Sequence, residues 1–386
     1  MRLGTIAKGL AARLSQMEAQ GLWLTPSSHA EEALLRRRHK KGDLVSPFRG
    51  MYARKASFEA ASVRERHLRT IRTLATLHPS WVFCSYSAAA LHGLQVPNCA
   101  LDSVHCCANG RSTAGSSLVR HRLKLKRHDT MSKSGIQVTS LRKTIVDCLC
   151  AADFQTGLAI ADSAIHWGLT SKIEIARWID EDGAGRRGVR QARITALYAD
   201  GRSDNGGESI ARAVMIELGF AVPELQVEMF DPMEPGNPKR GDFGWQLDDG
   251  RWIIGELDGM VKYRGNGRHA PQDIDAAIRI MSAERRRESH LNLGGYTVVR
   301  FSMREVFDRA YFEQLLRTAG VPQRSAGGPR RTAGVPQRSA GGSATHRTSQ
   351  LTTQRRFPQI DRASCDRKPS PLQENKQRAP AQIAEI

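Results

Sequence analysis

Residues 253–258 constrain the fold most, because they join a short apolar run to two carboxylates, Glu256 and Asp258, which a glycine then follows. A short apolar run bounded by turn-forming residues is typical of a buried strand. Side chains two positions apart on a strand point to the same face, so both acids are expected to project from one side of a sheet. A divalent cation would relieve their repulsion, because such ions prefer carboxylate oxygens. The alternative is a strand end whose acids are solvated or paired with arginine.

The residues around this strand predict an α/β domain at 201–316. Helical spacing places Glu208 in the first turn of a helix. Three strand-like segments follow, and Asp242 lies near the head of the second. A long helix that two glycines close and a final strand complete the order helix, three strands, helix, strand. The predicted helices cover 205–218 and 272–293, and the predicted strands cover 225–230, 239–245, 252–258 and 296–301.

This order, with an acid in the first helix, an aspartate on the second strand and an acidic pair on the third, resembles the PD-(D/E)xK nuclease superfamily. It is most similar to the domains of unknown function that are related to very-short-patch-repair endonucleases. The resemblance implies a restriction-endonuclease-like αβββαβ core that hydrolyses phosphodiester bonds with Mg²⁺ or Mn²⁺. It is carried by Glu256-Leu257-Asp258-Gly259, Lys262-Tyr263, Glu284-Arg285-Arg286-Arg287-Glu288 and the run from Leu293 to Phe301.

The resemblance also implies a role for each acid. Asp242 and Glu256 would hold the metal, with Glu208 nearby and Asp258 as a further acid, and Lys262 would stabilise charge on the phosphate. The superfamily places its lysine two residues after the strand glutamate. Asp258 occupies that position here, and Lys262 follows Glu256 by six residues. Hydrolysis therefore depends on whether Lys262 reaches back into the site.

Each of these residues also has a structural interpretation. Glu208 would be favoured in a first helical turn by the helix dipole alone. Asp242 could cap its strand or pair with Arg240. The three arginines at 285–287 would most often form a solvated helix face.

Residues 1–60 predict a winged-helix DNA-binding domain. Two helices, at 6–20 and 31–41, precede a hairpin formed by 43–46 and 50–54, which is the order of elements in a winged helix. Ser28 and Glu31 predict a capping box at the start of the second helix. The bases expected to contact DNA phosphates are Arg36, Arg37, Arg38, Lys40, Lys41 and Arg49. The alternative is a solvated helix end whose bases only compensate the dipole.

A second resemblance covers roughly residues 1–200. It is carried by Phe48-Arg49-Gly50-Met51-Tyr52, the run from Cys84 to Leu94 and the run from Ile136 to Asp147. These segments are similar to the AbiEi-type antitoxins of bacterial abortive-infection systems. The resemblance implies an α+β middle domain at 61–200 and a winged helix that binds the operator of its own operon. The chain as a whole is therefore expected to be α+β. A nucleotidyltransferase toxin encoded nearby is the partner that it implies.

Three further segments carry predictions. Residues 122–128 alternate bases with leucines, which predicts a strand whose basic face extends a nucleic-acid surface or protects a sheet edge. Residues 140–178 have helical spacing, with breaks expected at Gly157 and Gly168. Twelve residues from Arg317 recur identically at 331–342, and their composition predicts a disordered basic tail over 317–386.

The net charge and the cysteine content limit the classes of function that this chain can have. A formal net charge of +19 favours a polyanionic partner such as DNA. Seven cysteines without a CxxC pair and the lack of a membrane-length apolar run predict a cytoplasmic protein. The resemblance to the AbiEi-type antitoxins implies that it is bacterial. The leading hypothesis is a metal-dependent endonuclease-like DNA-binding protein, that is, a Mg²⁺-dependent endodeoxyribonuclease. The alternative is an antitoxin and autorepressor of a type IV toxin–antitoxin system with a catalytically inactive nuclease fold.

Overall fold

A computed structural model describes residues 3–108, 113–114, 117–234, 236–258 and 274–324 of the 386. These residues combine helices and sheets, so the predicted α+β class is confirmed.

The N-terminal region consists of two helices and a short antiparallel hairpin, which enclose a small apolar core. Leu35 on the second helix is fully buried in that core, and Tyr52 closes it from the hairpin side. The elements are α1 (Leu3–Ala19), α2 (His29–Lys40), β1 (Leu44–Val45) and β2 (Ala53–Arg54).

The predicted capping box at α2 is only half formed. Ser28 Oγ accepts the amide N–H of Glu31 at 3.2 Å, as predicted. The Glu31 carboxylate bonds to Ser27 instead of Ser28, accepting its amide N–H at 2.7 Å, and it also pairs with Arg13 of α1. Burial raises the pKa of Glu31, but the bonds from Ser27 and Arg13 outweigh it and lower the pKa. The helix start is therefore tied to α1 rather than closed on itself.

The middle region is a small sheet surrounded by helices. Strands β3 and β5 pair in parallel, β4 pairs with β5, and β6 and β7 form a hairpin. Phe83 bridges to both Cys106 and Val138 and so links the two groups of strands. The elements are α3 (Lys55–Ala60), α4 (Val63–Leu77), α5 (Ser85–His92), β3 (Val104–Cys107), β4 (Thr113–Ala114), β5 (Leu118–His121), β6 (Thr130–Lys133), β7 (Ile136–Thr139), α6 (Leu141–Ala151), α7 (Phe154–His166), α8 (Lys172–Asp182) and α9 (Val189–Tyr198).

Residues 122–128 do not form the predicted strand. Residues 122–126 have no regular secondary structure, and a 3₁₀ turn follows at Arg127–Asp129. The alternation persists in the exposure of the side chains: Arg122, Lys124 and Lys126 are exposed, and the leucines between them are half-buried. An extended backbone gives this two-sided pattern without sheet hydrogen bonds. The predicted basic face is therefore present, and the predicted strand is not.

The helix break predicted at Gly157 is wrong, because Gly157 lies inside α7. A Cβ at this position would lie 3.2 Å from Thr195 Cγ2, so glycine lets α7 and α9 approach closely. The break occurs earlier, where Asp153 caps α7 by accepting the N–H of Thr156 at 2.8 Å. The predicted break at Gly168 is confirmed, with a left-handed φ of 63° after the end of α7.

The C-terminal region is a four-stranded sheet with helices on both faces. Its strand order is β11-β10-β9-β8; α11 is the crossover that makes β10 and β11 parallel, and the other pairs are antiparallel. Helices α10, α12 and α13 pack on one face and the end of α11 on the other. The elements are α10 (Gly206–Glu217), β8 (Glu224–Met229), β9 (Lys239–Gln246), β10 (Trp252–Asp258), α11 (Ile274–Leu293), β11 (Tyr296–Ser302), α12 (Met303–Phe307) and α13 (Arg309–Thr318).

The predicted start of the disordered tail at residue 317 is wrong. Helix α13 continues to Thr318, and Val321 beyond it is only 4% exposed because it joins the core under the sheet. Gln323 forms a β-bridge with Phe220. Residues 325–386, including the second copy of the repeat, lie outside the described residues.

The middle and C-terminal regions are joined by a buried ion pair. Arg212 of α10 donates from Nη2 to Asp162 Oδ2 of α7 at 2.6 Å, and both side chains are at most 2% exposed. Arg212 also donates from Nη1 to the carbonyl of Tyr198 at 2.9 Å. The two regions therefore share an interface that contains charge as well as apolar packing.

Two histidines of the middle region that both contact Ser87, the buried His67 and the half-buried His105, predict pH-dependent stability. His67 Nε2 lies 3.0 Å from Ser87 Oγ, which also accepts the amide N–H of His105. Burial lowers the pKa of His67 and that of His105 to about 4, from an ordinary value of 6.5. Since the folded pKa lies below the unfolded one, both histidines favour the folded state above pH 6.5. We expect the unfolding free energy to fall by about 1.4 kcal/mol per pH unit and per histidine as the pH drops towards 4.

Urea denaturation at about pH 7 and about pH 5 measures this loss. The double variant His67→Gln/His105→Gln should flatten the dependence. His128, whose side chain is 75% exposed, is the control position for a matched His→Gln change. An equal pH dependence in the double variant and the wild type would contradict the assignment.

Candidate functional site

Glu208 is a buried acid in the first turn of α10, as the sequence predicts. Its carboxylate accepts the amide N–H of Asp204 at 2.8 Å, the Gln226 Nε2–H at 2.9 Å and the Asn205 Nδ2–H at 2.5 Å. Burial, together with the charges of Asp242 and Asp204, raises its pKa to about 7 even though the bonds from the Asp204 amide and Gln226 lower it. The carboxyl therefore sits among negative charge that an added cation would relieve.

Asp242 lies where the pairing of β9 and β10 ends. Its Oδ2 accepts the amide N–H of Leu257 at 2.8 Å, just beyond the last register pair, Gly255 with Phe243. Burial raises its pKa against the effect of that bond. A Cβ on the preceding Gly241 would lie 2.4 Å from Ile254 Cγ2, so a side chain there would push Asp242 out of place.

Gln226 carries no functional signal in the sequence, yet it helps to position Glu208. It lies on β8 with a φ of 55°, between the register pairs Leu225–Phe243 and Val227–Gly241. A non-glycine residue rarely adopts this left-handed conformation, and such strain is concentrated at functional sites. Here it interrupts the ladder opposite Asp242 and accompanies the bond from Gln226 to Glu208. In the sequence the same residue is only a polar position in an alternating strand.

Glu256 is paired with two arginines. Arg287 of α11 donates from Nη2 to its Oε1 at 2.8 Å, and Arg300, its register partner on β11, donates from Nη2 to its Oε2 at 2.9 Å. The Glu256 side chain is 12% exposed. At Glu256 the structure therefore agrees with the alternative prediction for this strand end, an acid paired with arginine.

The three arginines of α11 differ in their surroundings. Arg285 and Arg286 are exposed, as expected of a solvated helix face, but Arg287 is half-buried against Glu256. Asp258 is exposed at the end of β10. Lys262 lies outside the described residues.

The acids of α10, β9 and β10 lie around one end of the sheet. A Cβ on Gly207, next to Glu208, would be 3.2 Å from Leu257 Cδ2, and Asp242 bonds to Leu257. However, Glu208, Asp242 and Glu256 are not among the groups of three whose ligand atoms all lie within 4.8 Å of one another in the described structure. The acids are neighbours without converging on one point.

Among the described residues, the group that does converge in this way is Asp231, Glu234 and His290. His290 Nδ1 lies 3.3 Å from Asp231 Oδ2, and Asp231 Oδ1 accepts the amide N–H groups of Met233 and Glu234. Glu234 pairs with Lys239 at 2.7 Å. These contacts fasten the loop between β8 and β9 to α11, and each of the three groups already has a protein partner.

The bases predicted to contact DNA lie on the surface of the N-terminal region. Arg38 is half-buried with Asp43 at 3.6 Å, and Arg36 pairs with Glu32 at 2.6 Å. Within the described part of the chain, the other four form no ion pair. Those exposed bases are Arg37, Lys40, Lys41 and Arg49.

Two proteins of Mycobacterium tuberculosis, both described as uncharacterized, are similar to this chain. One is from strain CDC 1551 / Oshkosh and the other from strain ATCC 25618 / H37Rv, and each is 32% identical over 167 residues. The match covers 42% of this chain and 58% of each relative. No family model and no solved structure matches the chain.

No helix in the described part of the chain combines the length and the apolar character needed to cross a membrane.

Proposed function

We propose that this chain is a DNA-binding protein whose C-terminal region is a restriction-endonuclease-like core that hydrolyses phosphodiester bonds with a divalent metal. The observation that carries the proposal is that acids from three elements lie as neighbours around one end of the sheet. Asp242 bonds to the residue after Glu256, and its charge acts on Glu208. The sheet, with its parallel β10–β11 pair and flanking helices, has the element order expected of that superfamily.

The donor set fits Mg²⁺ or Mn²⁺ in its chemistry. Carboxylate oxygens are the ligands that these hard cations prefer. The pKa values of Glu208 and Asp242 are both raised, so a cation beside them would favour their charged forms. Asp242 would hold the ion with Glu208 alongside, and Glu256 would join them after releasing an arginine.

Such an ion, when bound, lowers the pKa of a coordinated water and supplies the nucleophile. The chain's own residues orient the acids. The N–H donors of Asp204 and Gln226 fix the Glu208 carboxylate, and the Leu257 N–H fixes Asp242. The exposed bases of α2 would bind the phosphates of the duplex.

Cleavage assays test the proposal. Linear DNA, nicked DNA and RNA are incubated with the protein, with and without Mg²⁺ or Mn²⁺. We expect metal-dependent cleavage of DNA that falls by at least about a hundredfold in Asp242→Asn and in Glu256→Gln. Asp249→Asn is the control, because Asp249 lies on the β9–β10 turn with a 51% exposed side chain. Full cleavage by both site variants would overturn the catalytic assignment.

A second function is favoured by the pairing of Glu256 with Arg287 and Arg300 and by the exposure of Asp258 where a lysine is expected. In that case the chain would be a type IV antitoxin and autorepressor whose nuclease fold is inactive. It would bind its own upstream DNA and act with a nucleotidyltransferase toxin encoded nearby. An adjacent gene for such a toxin would favour this function over the first.

DNA binding by α2 is testable under either function. We expect Arg37→Gln/Lys40→Gln to weaken binding to upstream DNA and to lower the slope of log affinity against log salt by about 2, since each lost phosphate contact contributes about 0.9. Fluorescence anisotropy at several salt concentrations measures both. The matched control is Lys172→Gln/Arg190→Gln, which removes two exposed bases of α8 and α9. An unchanged salt slope in the α2 variant would remove this helix from the interface.

A further inference from the structure

We propose that Arg287 is the phosphate-binding cation of this site: it holds Glu256 in the free protein and turns to the phosphodiester once a metal takes up the Glu256 carboxylate. The inference rests on the proposed nuclease function and deepens it, because it names the residue that takes the part of the lysine absent from β10.

The contacts of Glu256 provide the first argument. Both of its oxygens accept guanidinium N–H bonds, from Arg287 on one side and Arg300 on the other. Each oxygen keeps a second lone pair for a metal ion, but that ion would lie beside two guanidinium charges that repel it, so its binding is favoured when one of the two groups moves away. Arg300 comes from the neighbouring strand and is fixed by its register with Glu256. Arg287 reaches the carboxylate from α11, whose backbone is not paired with β10. Exposure does not distinguish the two arginines, at 25% for Arg287 and 24% for Arg300, so it is this attachment to a helix that makes Arg287 the one that can turn away.

The charge balance is the second argument. Three carboxylates, those of Glu208, Asp242 and Glu256, are accompanied by the two guanidinium groups, which leaves one net negative charge when all are ionised. A divalent ion makes the group positive by one, and a phosphodiester anion then neutralises it. Without one arginine, the metal-loaded group would be neutral and would attract the phosphodiester less.

The chemistry of the side chain is the third argument. A guanidinium presents a planar fork of N–H donors that matches the oxygens of a carboxylate or a phosphate. The same group can therefore exchange Glu256 for a phosphate without losing the type of bond it makes. Asp258, at the strand position where a lysine is expected, is an exposed acid and cannot supply that cation.

The exchange predicts effects of opposite sign on two affinities. In Arg287→Met, Glu256 is freed from a competing cation, so Mn²⁺ should bind about tenfold more tightly. A short DNA duplex with Ca²⁺ should bind about tenfold more weakly, because a charge-assisted bond to phosphate is lost. Mn²⁺ binding is measured by electron paramagnetic resonance of the free ion, and duplex binding by fluorescence anisotropy. Arg287→Lys keeps the positive charge but not the planar fork, so it should restore only part of the duplex affinity.

The control is Arg286→Met, which removes an exposed guanidinium one residue away and should change neither affinity by more than about twofold. Circular dichroism and thermal unfolding establish whether each variant is folded. If Arg287→Met does not fold, Arg300→Met provides a second way to free Glu256 from one of its arginines. If the ion pair is purely structural, Arg287→Met will lower the thermal stability and will leave the affinities for Mn²⁺ and for the duplex both unchanged or both reduced. Either result overturns the inference. If the wild type cleaves DNA and Arg287→Met retains that cleavage, only this inference fails. If the wild type binds no Mn²⁺ and cleaves nothing, the proposed nuclease function fails with it.

Discussion

Arg212→Met will lower the unfolding free energy by about 3–5 kcal/mol, which is a large part of the stability of an ordinary domain. Arg212 and Asp162 form an ion pair in which both side chains are at most 2% exposed. Removing the guanidinium leaves the Asp162 carboxylate buried without its cation and takes a donor from the Tyr198 carbonyl. Burial already raises the pKa of Asp162 against the effect of Arg212, so the unpaired acid would take up a proton or admit water.

Urea denaturation of Arg212→Met, of Asp162→Asn and of the double variant Asp162→Asn/Arg212→Met measures the coupling energy between the two side chains. The double variant should be less destabilised than the sum of the single ones, because neither charge is then left alone. Arg309→Met is the control: Arg309 pairs with Glu217 at the surface, where it is 45% exposed, and its loss should change the stability by less than about 1 kcal/mol. A loss as small as this in Arg212→Met would mean that water already reaches the pair.

Local patterns predicted the elements well because their causes are local. The start of α2 at Ser28 and the end of α7 before Gly168 depend on bonds and backbone angles within a few residues. The position of Glu208 in the first turn of α10 follows from the cap at Asn205, which accepts the amide N–H of Glu208. Such signals lie within a window of a few residues, so they can be recognised in one sequence.

The contacts of the candidate site were beyond local patterns. Arg287 and Glu256 are 31 positions apart, and their pairing depends on how α11 packs over the sheet. The three consecutive arginines are equivalent in the sequence. Which of them faces the sheet depends on how α11 is rotated about its own axis. The left-handed backbone of Gln226 is also set by the sheet around it, because no glycine marks it. The pairing of Glu256 with Arg287 therefore could not be read from local patterns.

The composition of the repeat gave the wrong boundary between the folded C-terminal region and the predicted disordered tail. The first copy of the repeat begins at Arg317 and is rich in residues that rarely build a core, yet its first eight positions are tied to the C-terminal region. Val321, which is 4% exposed, and Arg324, which bonds to Gly219, Tyr198 and Ile216, hold this segment in place. Tertiary sites for two side chains can order a segment whose average composition predicts disorder.

A chain that ends at residue 316 will therefore be less stable than one that ends at 324, by on the order of 5–7 kcal/mol. Burial of Val321 contributes about 1.5–3 kcal/mol of this. The remainder comes from hydrogen bonds of about 1 kcal/mol each: Ala221 donates to the Pro322 carbonyl at 2.8 Å, and Arg324 donates to Gly219, to Tyr198 and to Ile216. The bond from Arg324 Nη1 to the Tyr198 hydroxyl, at 2.8 Å, also ties the C-terminal region to α9.

The two truncated chains are compared by urea denaturation at equal concentration. Arg324→Ala in the chain that ends at 324 separates the arginine bonds from the rest, and we expect it to account for about 1–3 kcal/mol. Val321→Ala in the same chain should account for a further part, since it removes two methyl groups from the core beneath Phe220. Equal midpoints for the two truncations would show that residues 317–324 add nothing to the fold. A difference of the expected size would place the boundary of the folded unit beyond 317, where a buried valine and a bridging arginine outweigh the composition of the repeat.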